Sequence, residues 1–158
     1  MSRLWAPWRI KYIRLADKEK GCIFCKIQKK KSREQLVFKT SHSVCLLNIY
    51  PYNNGHLMVS PGRHIKDLGL LTAEEGADLF RSVTKAQRLL KKTLKPDGFN
   101  IGINIGKAAG AGITGHLHIH IVPRWAGDTN FMPVVHNTKI ISQSLNELLK
   151  RLHHAQKE

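Results

Sequence analysis

Three histidines alternate with apolar residues in His116-Leu-His118-Ile-His120-Ile-Val122. A strand sends successive side chains to opposite faces, so the spacing predicts three imidazoles on one surface, about 6.5 to 7 Å apart, with Leu117, Ile119 and Ile121 anchoring the other. Two chemistries suit such a row. An imidazole can attack an electrophilic phosphorus while its neighbours donate hydrogen bonds to the phosphate oxygens. Alternatively, neutral imidazoles can ligate a transition metal. Histidine is a poor default filler for a strand face, which speaks against a row with no role. A second chemical group is Cys22-Ile-Phe-Cys25, with Cys45 making an odd count of three cysteines. In a chain with no export signal this argues against a disulfide scaffold and for metal or redox chemistry. Thioredoxin-like redox work fits less well, because no βαβ pattern follows the pair. Cys45, between Val44 and Leu46, reads as a small core residue.

The elements that must hold these groups are short. β-rich segments fall near Leu36 to Thr40, Val44 to Tyr50 and His56 to Ser60, the last after the turn-forming Pro51, Asn53, Asn54 and Gly55. Thr72-Ala-Glu-Glu75 is a capping box, Leu79, Val83, Ala86 and Leu90 form an apolar stripe, and Lys95-Pro-Asp-Gly98 is a stop signal, which predicts one long helix. Phe99 to Gly106 reads as a strand and Gly110 to Gly115 as a flexible loop, and Pro123 is expected to end the histidine strand. A final amphipathic helix is predicted over Ile140 to Leu152. Strands on both sides of one long helix, joined by short turns, indicate an α+β domain on a mostly antiparallel sheet.

The chain has 158 residues, 42% of them apolar and 23% charged, which is one domain with a real core. No window reaches membrane-span length, and Met1 to Ile13 is broken by Arg3, Pro7, Arg9 and Lys11, so neither a span nor a signal peptide is expected and a cytoplasmic protein is. Lys plus Arg number 26 against 11 Asp plus Glu, a formal +15. Residues 1 to 31 hold ten basic and two acidic side chains, and residues 81 to 95 hold six basic ones with no acid. Arg81, Lys85, Arg88, Lys92 and Lys95 recur at three- and four-residue steps, along one helix face. Such a stripe suits a polyanion, whether a phosphorylated small molecule or nucleic acid, and equally suits simple solubility. Leu4 to Tyr12 reads as an ordered basic and aromatic arm, in which Pro7 could open a helical turn.

His116 to Val122 has the form His-φ-His-φ-His-φ-φ, with φ apolar, and the chain thereby resembles the histidine triad (HIT) superfamily of nucleotide hydrolases and transferases. Cys22-Ile-Phe-Cys25-Lys-Ile, Leu47-Asn48, Asn54-Gly-His56-Leu-Met-Val-Ser-Pro61, Arg63-His64-Ile65 and Pro123-Arg-Trp-Ala-Gly-Asp128 agree in order over roughly residues 20 to 130. Leu4 to Ile13 and Arg124 to Pro133 further resemble the bacterial branch that includes diadenosine tetraphosphate phosphorylases. The resemblance implies a HIT-like fold with a mostly antiparallel five-stranded sheet, one long central helix and a C-terminal helix. It divides the chain into an arm over 1–20, a HIT domain over 21–135 and a C-terminal helical segment over 136–158 that packs on the same domain.

It also implies roles. The middle histidine, His118, would be the nucleophile that takes a nucleotide on the α-phosphorus, with His120 and His56 donating to phosphate oxygens. Asn48 would hold the ribose, Asn104 would contact phosphate, and Ile23, Phe24, Ile27, Leu46 and Ile49 would wall the base, although Leu46 and Ile49 read equally as core. Cys22, Cys25, His64 and His116 would bind a structural Zn2+. The loop from Asn104 to His116 is one residue longer than in eukaryotic members, and Gly112 and Ile113 stand where those members have hydrogen-bonding side chains, which leaves the acceptor open. His42, His136, His153 and His154 match no motif and read as surface residues, and Trp125 and Asp128 read as loop packing and turn capping or as a substrate contact.

The expected activity is transfer at the α-phosphate of adenine nucleotides, preferably phosphorolysis of diadenosine tetraphosphate with inorganic phosphate. AMP-releasing hydrolysis of dinucleoside polyphosphates or of nucleoside phosphoramidates is the close alternative, and a non-catalytic nucleotide or nucleic-acid binding protein is the alternative of another class. A third alternative is one ion held by all three triad imidazoles. The resemblance also implies a homodimer and no membrane partner.

Overall fold

Five strands fall close to the segments that the sequence predicts. In the computed structural model, which describes residues 21–29, 35–129 and 141–157, they are β1 (Leu36–Lys39), β2 (Ser43–Leu47), β3 (Leu57–Pro61), β4 (Gly98–Ile103) and β5 (Ile119–Arg124). They form one antiparallel sheet in the order β1-β2-β3-β5-β4, so the histidine-bearing β5 is an interior strand and β4 lies at an edge. The helices are α1 (Ile23–Lys29), α2 (Ala73–Leu94) and α3 (Leu145–Ala155), with a short 3-10 turn at Leu68–Leu70. The architecture is the expected α+β, HIT-like one. The arm over 1–20, His136 and Ile140 lie outside the described residues.

The sheet separates two apolar clusters. Cys45 and Leu47 of β2, Leu57 and Val59 of β3, and Ile119 and Ile121 of β5 pack with Leu79, Ala86 and Leu90 of α2 and Leu148 and Leu152 of α3. Cys45 is fully buried there, as expected. The intervening positions Val44, Leu46 and Met58 turn to the other face and pack with Phe24 of α1. One sheet face is therefore covered by the two long helices. The other is left for α1 and the histidines. Burial of these aliphatic side chains, at about 1.5–3 kcal/mol each, is the main favourable term holding helices to sheet.

Local chemistry sets the boundaries. The hydroxyl of Thr72 accepts from Glu75 N–H at 3.2 Å, and the Glu75 carboxylate accepts from Thr72 N–H at 2.9 Å, closing the capping box. The helix ends at Lys95, whose φ of 49° is left-handed. Pro123 does not end β5, which runs on to Arg124 with Pro123 opposite Phe99. The pairing of β5 with β3 stops at Ile121, so a residue without an N–H costs no ladder bond on that side. The C-terminal helix starts at Leu145, later than expected, because Ser144 caps it by accepting from Glu147 N–H. His153 is not a surface residue: it is half-buried, and its Nε2–H donates to Leu36 O at 2.7 Å, tying α3 to β1.

Candidate functional site

The histidines do not form one row. β5 begins only at Ile119, so His116 and His118 sit in its lead-in, where Leu117 N–H bonds Ile65 O rather than a strand partner. The result is two sites. His116 joins the cysteines, and His118 and His120 join His56.

Hydrogen-bond partners settle which nitrogen of each ring carries its proton. His118 Nδ1 lies 2.8 Å from the backbone oxygen of His116; a carbonyl only accepts, so Nδ1 carries the hydrogen and Nε2 keeps a lone pair. His118 is buried, and its pKa lies below the usual histidine range, chiefly through burial. A neutral imidazole with a lone pair on Nε2 is a nucleophile.

His56 has the opposite polarity. Its Nδ1 accepts from Tyr52 N–H at 3.0 Å and faces the Asn48 amide Nδ2 at 3.2 Å. The amide is oriented by Tyr50 N–H, which donates to Asn48 Oδ1 at 2.9 Å. His56 therefore carries its proton on Nε2 and donates it to His120 Nδ1 at 2.9 Å, which leaves the His120 proton on Nε2. Burial, then the neighbouring His120 and His118, pushes the His56 pKa down to about 3, so the ring stays neutral. The His118 and His120 rings stand edge to face at 4.9 Å. One neutral ring offers a lone pair and the next carries an N–H.

Tyr52 was not foreseen. Its ring lies 4.6 Å from that of His56 and stacks on His120 at 5.7 Å. The Pro51 to Asn54 turn preceding His56 was the available signal, since a turn of that kind must present both its backbone and its side chains to the next residue. Asp128 is occupied structurally: Arg124 donates to both of its oxygens, at 2.6 and 2.9 Å, and Asn53 donates at 2.8 Å. The turn-capping reading thus describes Asp128, and this network ties the loop after β5 to the turn before His56.

The second site draws on α1, the loop after β3 and the lead-in to β5. His116 Nε2–H donates to Pro61 O at 2.9 Å, which leaves the Nδ1 lone pair facing the thiols, 3.1 Å from Cys22 Sγ and 3.6 Å from Cys25 Sγ. His64 Nδ1 lies 3.3 Å from Cys25 Sγ, and the four ligand atoms lie within 4.8 Å of one another. Two sulfurs and two imidazole nitrogens at such spacing fit a closed tetrahedral metal site. Burial and the neighbouring Cys22 hold the Cys25 pKa up, a cost that a cation would remove. Arg63 holds the His64 loop by donating to both Glu75 oxygens at 2.8 Å and to Leu70 O.

The other expected residues divide. Phe24 and Leu46 are fully buried together, with Ile23 and Ile27 half-buried around them. The Phe24 ring lies 5.2 Å from His118 and 5.0 Å from His116, so α1 touches both sites. Ile49 is 38% exposed and outside that cluster. Asn104 sits one residue beyond β4, half-buried, with no side-chain hydrogen bond among the described residues.

Residues 29–127 match the HIT domain. The chain belongs to the HIT family. Over 96% of its length it is 38% identical to an AP-4-A phosphorylase of Mycobacterium tuberculosis, covering 83% of that protein. A bis(5'-nucleosyl)-tetraphosphatase [asymmetrical] of Schizosaccharomyces pombe is 38% identical over 60% of this chain and 51% of its own. Among solved HIT structures, that of a Zn-bound histidine triad family protein from Mycobacterium smegmatis superposes with a TM-score of 0.69 at 28% identity, covering 87% of this chain and 94% of that one. Among the described residues of this HIT protein, no helix is long and apolar enough to cross a membrane.

Proposed function

We propose that this HIT protein cleaves dinucleoside polyphosphates through a covalent nucleotidyl-His118, with phosphorolysis of diadenosine tetraphosphate as its reaction. The observation that carries the proposal is the opposed polarity of the two neighbouring rings, a lone pair on His118 Nε2 and a proton on His120 Nε2. His118 Nε2 would form a bond to the α-phosphorus as the bond to the bridging oxygen breaks, releasing ATP. A phosphate oxygen would then displace Nε2 from the same phosphorus, so that one diadenosine tetraphosphate and one phosphate become ATP and ADP. His120, oriented by His56, would donate to the phosphate oxygens as charge develops on them. The 38% identity to an AP-4-A phosphorylase over nearly the whole chain supports phosphate rather than water as the acceptor.

Asn48 and Asn104 are proposed to contact ribose and phosphate, and Phe24, Leu46, Ile23 and Ile27, with Ile49 at the rim, to wall the base. The Cys22, Cys25, His64 and His116 cluster is proposed to hold a structural Zn2+, which would neutralise the two thiolates. A cytoplasmic setting, where thiols stay reduced, suits that role. A homodimer is proposed through the edge strand β4, whose Ile101 is 45% exposed beside an edge that no strand of the described residues pairs.

The test incubates wild type and His118→Ala with diadenosine tetraphosphate, with and without phosphate, and separates the nucleotides by ion exchange. ATP plus ADP from wild type alone, and only with phosphate, is the expected result. AMP formed without phosphate would make the protein a hydrolase, and turnover by His118→Ala would remove the nucleophile assignment.

A further inference from the structure

The two long helices cover the sheet face opposite the histidines, and their outer surface is basic. Arg81, Lys85, Arg88 and Lys92 lie along one flank of α2, all exposed. That flank turns toward α3 and β1: Lys92 Nζ donates to Ala155 O at 3.2 Å, and Lys85 Nζ sits 4.5 Å above the Phe38 ring. From the α3 side, Arg151 donates to Thr93 O at 2.6 Å, and Lys150 and Lys157 are exposed beyond it. The exposed surfaces of the two helices are therefore mainly cationic, with Glu147, linked through Gln143 to Arg151, as the acidic residue at the start of α3. Between Leu79 and Pro96 there is no acidic residue. Asp78 approaches Arg81 only at 3.9 Å, and among the described residues no carboxylate pairs with Lys85, Arg88, Lys150 or Lys157.

We propose that this helical face is a second binding surface, for the phosphate backbone of a nucleic-acid duplex. From residue 81 to residue 92 the α2 row runs about 16 Å at 1.5 Å per residue, long enough to meet several phosphates in succession. The contact is of the phosphate type: flexible Lys and Arg heads lie along the helix pair, and its exposed aromatic ring, Phe80, stands at the start of the row rather than along it, so successive bases have no run of rings to stack on. Binding is accordingly independent of sequence and does not favour a single strand over a duplex. Because β5 directs Ile119 and Ile121 to the helix side, His120 faces away, and the duplex and the histidine site lie on opposite sides of the sheet. Neither ligand displaces the other.

Fluorescence anisotropy of a labelled 20-base-pair mixed-sequence DNA duplex, titrated with the full chain between 50 and 250 mM KCl, tests this. Contact with about five phosphates gives a log–log salt slope of about −4 to −5. Arg88→Glu, Lys150→Glu and Lys157→Glu together should weaken binding at least tenfold, and the glutamine triple variant should do so by less, with dinucleotide turnover and thermal midpoint unchanged. Four results would overturn the proposal: no binding at 50 mM salt, binding indifferent to the triple variants, a single strand bound much more tightly than the duplex, or capture by anionic phosphatidylserine vesicles without capture by the duplex.

Discussion

The Nδ1–H of His118 is held 2.8 Å from the backbone oxygen of His116, so the ring proposed as the nucleophile hangs from a residue of the cysteine cluster. His116 is fixed twice over, by Pro61 O on one nitrogen and by the thiols around the other. Anything that frees His116 loosens the carbonyl that sets the His118 tautomer.

Emptying that cluster should therefore cost activity as well as stability. Cys22→Ala with Cys25→Ala is expected to lose stoichiometric zinc, lower the thermal midpoint, and reduce turnover by about tenfold, in the range found for groups that orient reactive ligands from behind. Elemental analysis, calorimetry and kcat on one preparation check it. Full zinc retained by the double variant would take the metal away from these residues.

Asn48 should act on rate through His56. Its amide faces a nitrogen that must accept, so Asn48→Asp sets an acceptor against a lone pair. His56 then protonates Nδ1, or moves its proton there and leaves His120 to donate from Nδ1, which removes the proton from His120 Nε2. Loss of one such donor is worth about 10²-fold in kcat. The drop in kcat should exceed any rise in KM from the lost ribose contact, and Asn48→Ala, which removes a donor without adding an acceptor, should lower kcat less. A raised KM at unchanged kcat in both variants would place Asn48 on the substrate alone.

Acid should destabilise the fold well above the range where carboxylates titrate. His56 has its native pKa pushed down to about 3 from an ordinary value of 6.5. Between these values the unfolded chain binds a proton that the native chain refuses, so stability is complete above pH 6.5 and falls as pH drops toward 3. The loss from His56 is about 2 kcal/mol between pH 7 and pH 5. His118, also lowered by burial, acts with the same sign. Urea midpoints over that range should fall less steeply for His56→Gln than for wild type, and identical slopes would contradict the assignment.

The long helix and the segments of β2 and β3 were legible because capping chemistry, β-rich composition and turn residues are local signals. The histidines were legible as chemistry but not as geometry: a perfect period-two pattern suggested one row, yet the ladder of β5 starts only at Ile119, opposite Ile103, where β4 ends. Nothing within His116 to His120 encodes where a neighbouring strand stops. Ile23 to Lys29 gave no helix signal, since its start is set by tertiary contacts of Phe24 with His116 and His118. The start of α3 was readable, by contrast, as Ser144-x-x-Glu147, an N-cap pattern that the apolar periodicity upstream obscured.

Gly55 connects the core to the catalytic geometry, and its replacement should expose that link. It has a φ of +78°, a conformation that side chains with a Cβ adopt only under strain. A Cβ there would lie 2.5 Å from Leu94 Cδ1, 3.1 Å from Pro123 Cγ and 3.2 Å from Leu90 Cδ2, which are packed between the end of α2 and β5. Strain and overpacking together make Gly55→Ala destabilising by about 2–4 kcal/mol. The displaced backbone is that of the residue preceding His56, in the turn whose Tyr52 N–H fixes the His56 tautomer. The variant should therefore lose turnover even at temperatures where it stays folded, whereas Leu94→Ala, made to relieve the nearest clash, should restore part of the activity in the double variant. Full activity of Gly55→Ala below its thermal midpoint would mean that the His56–His120 pair does not depend on this turn.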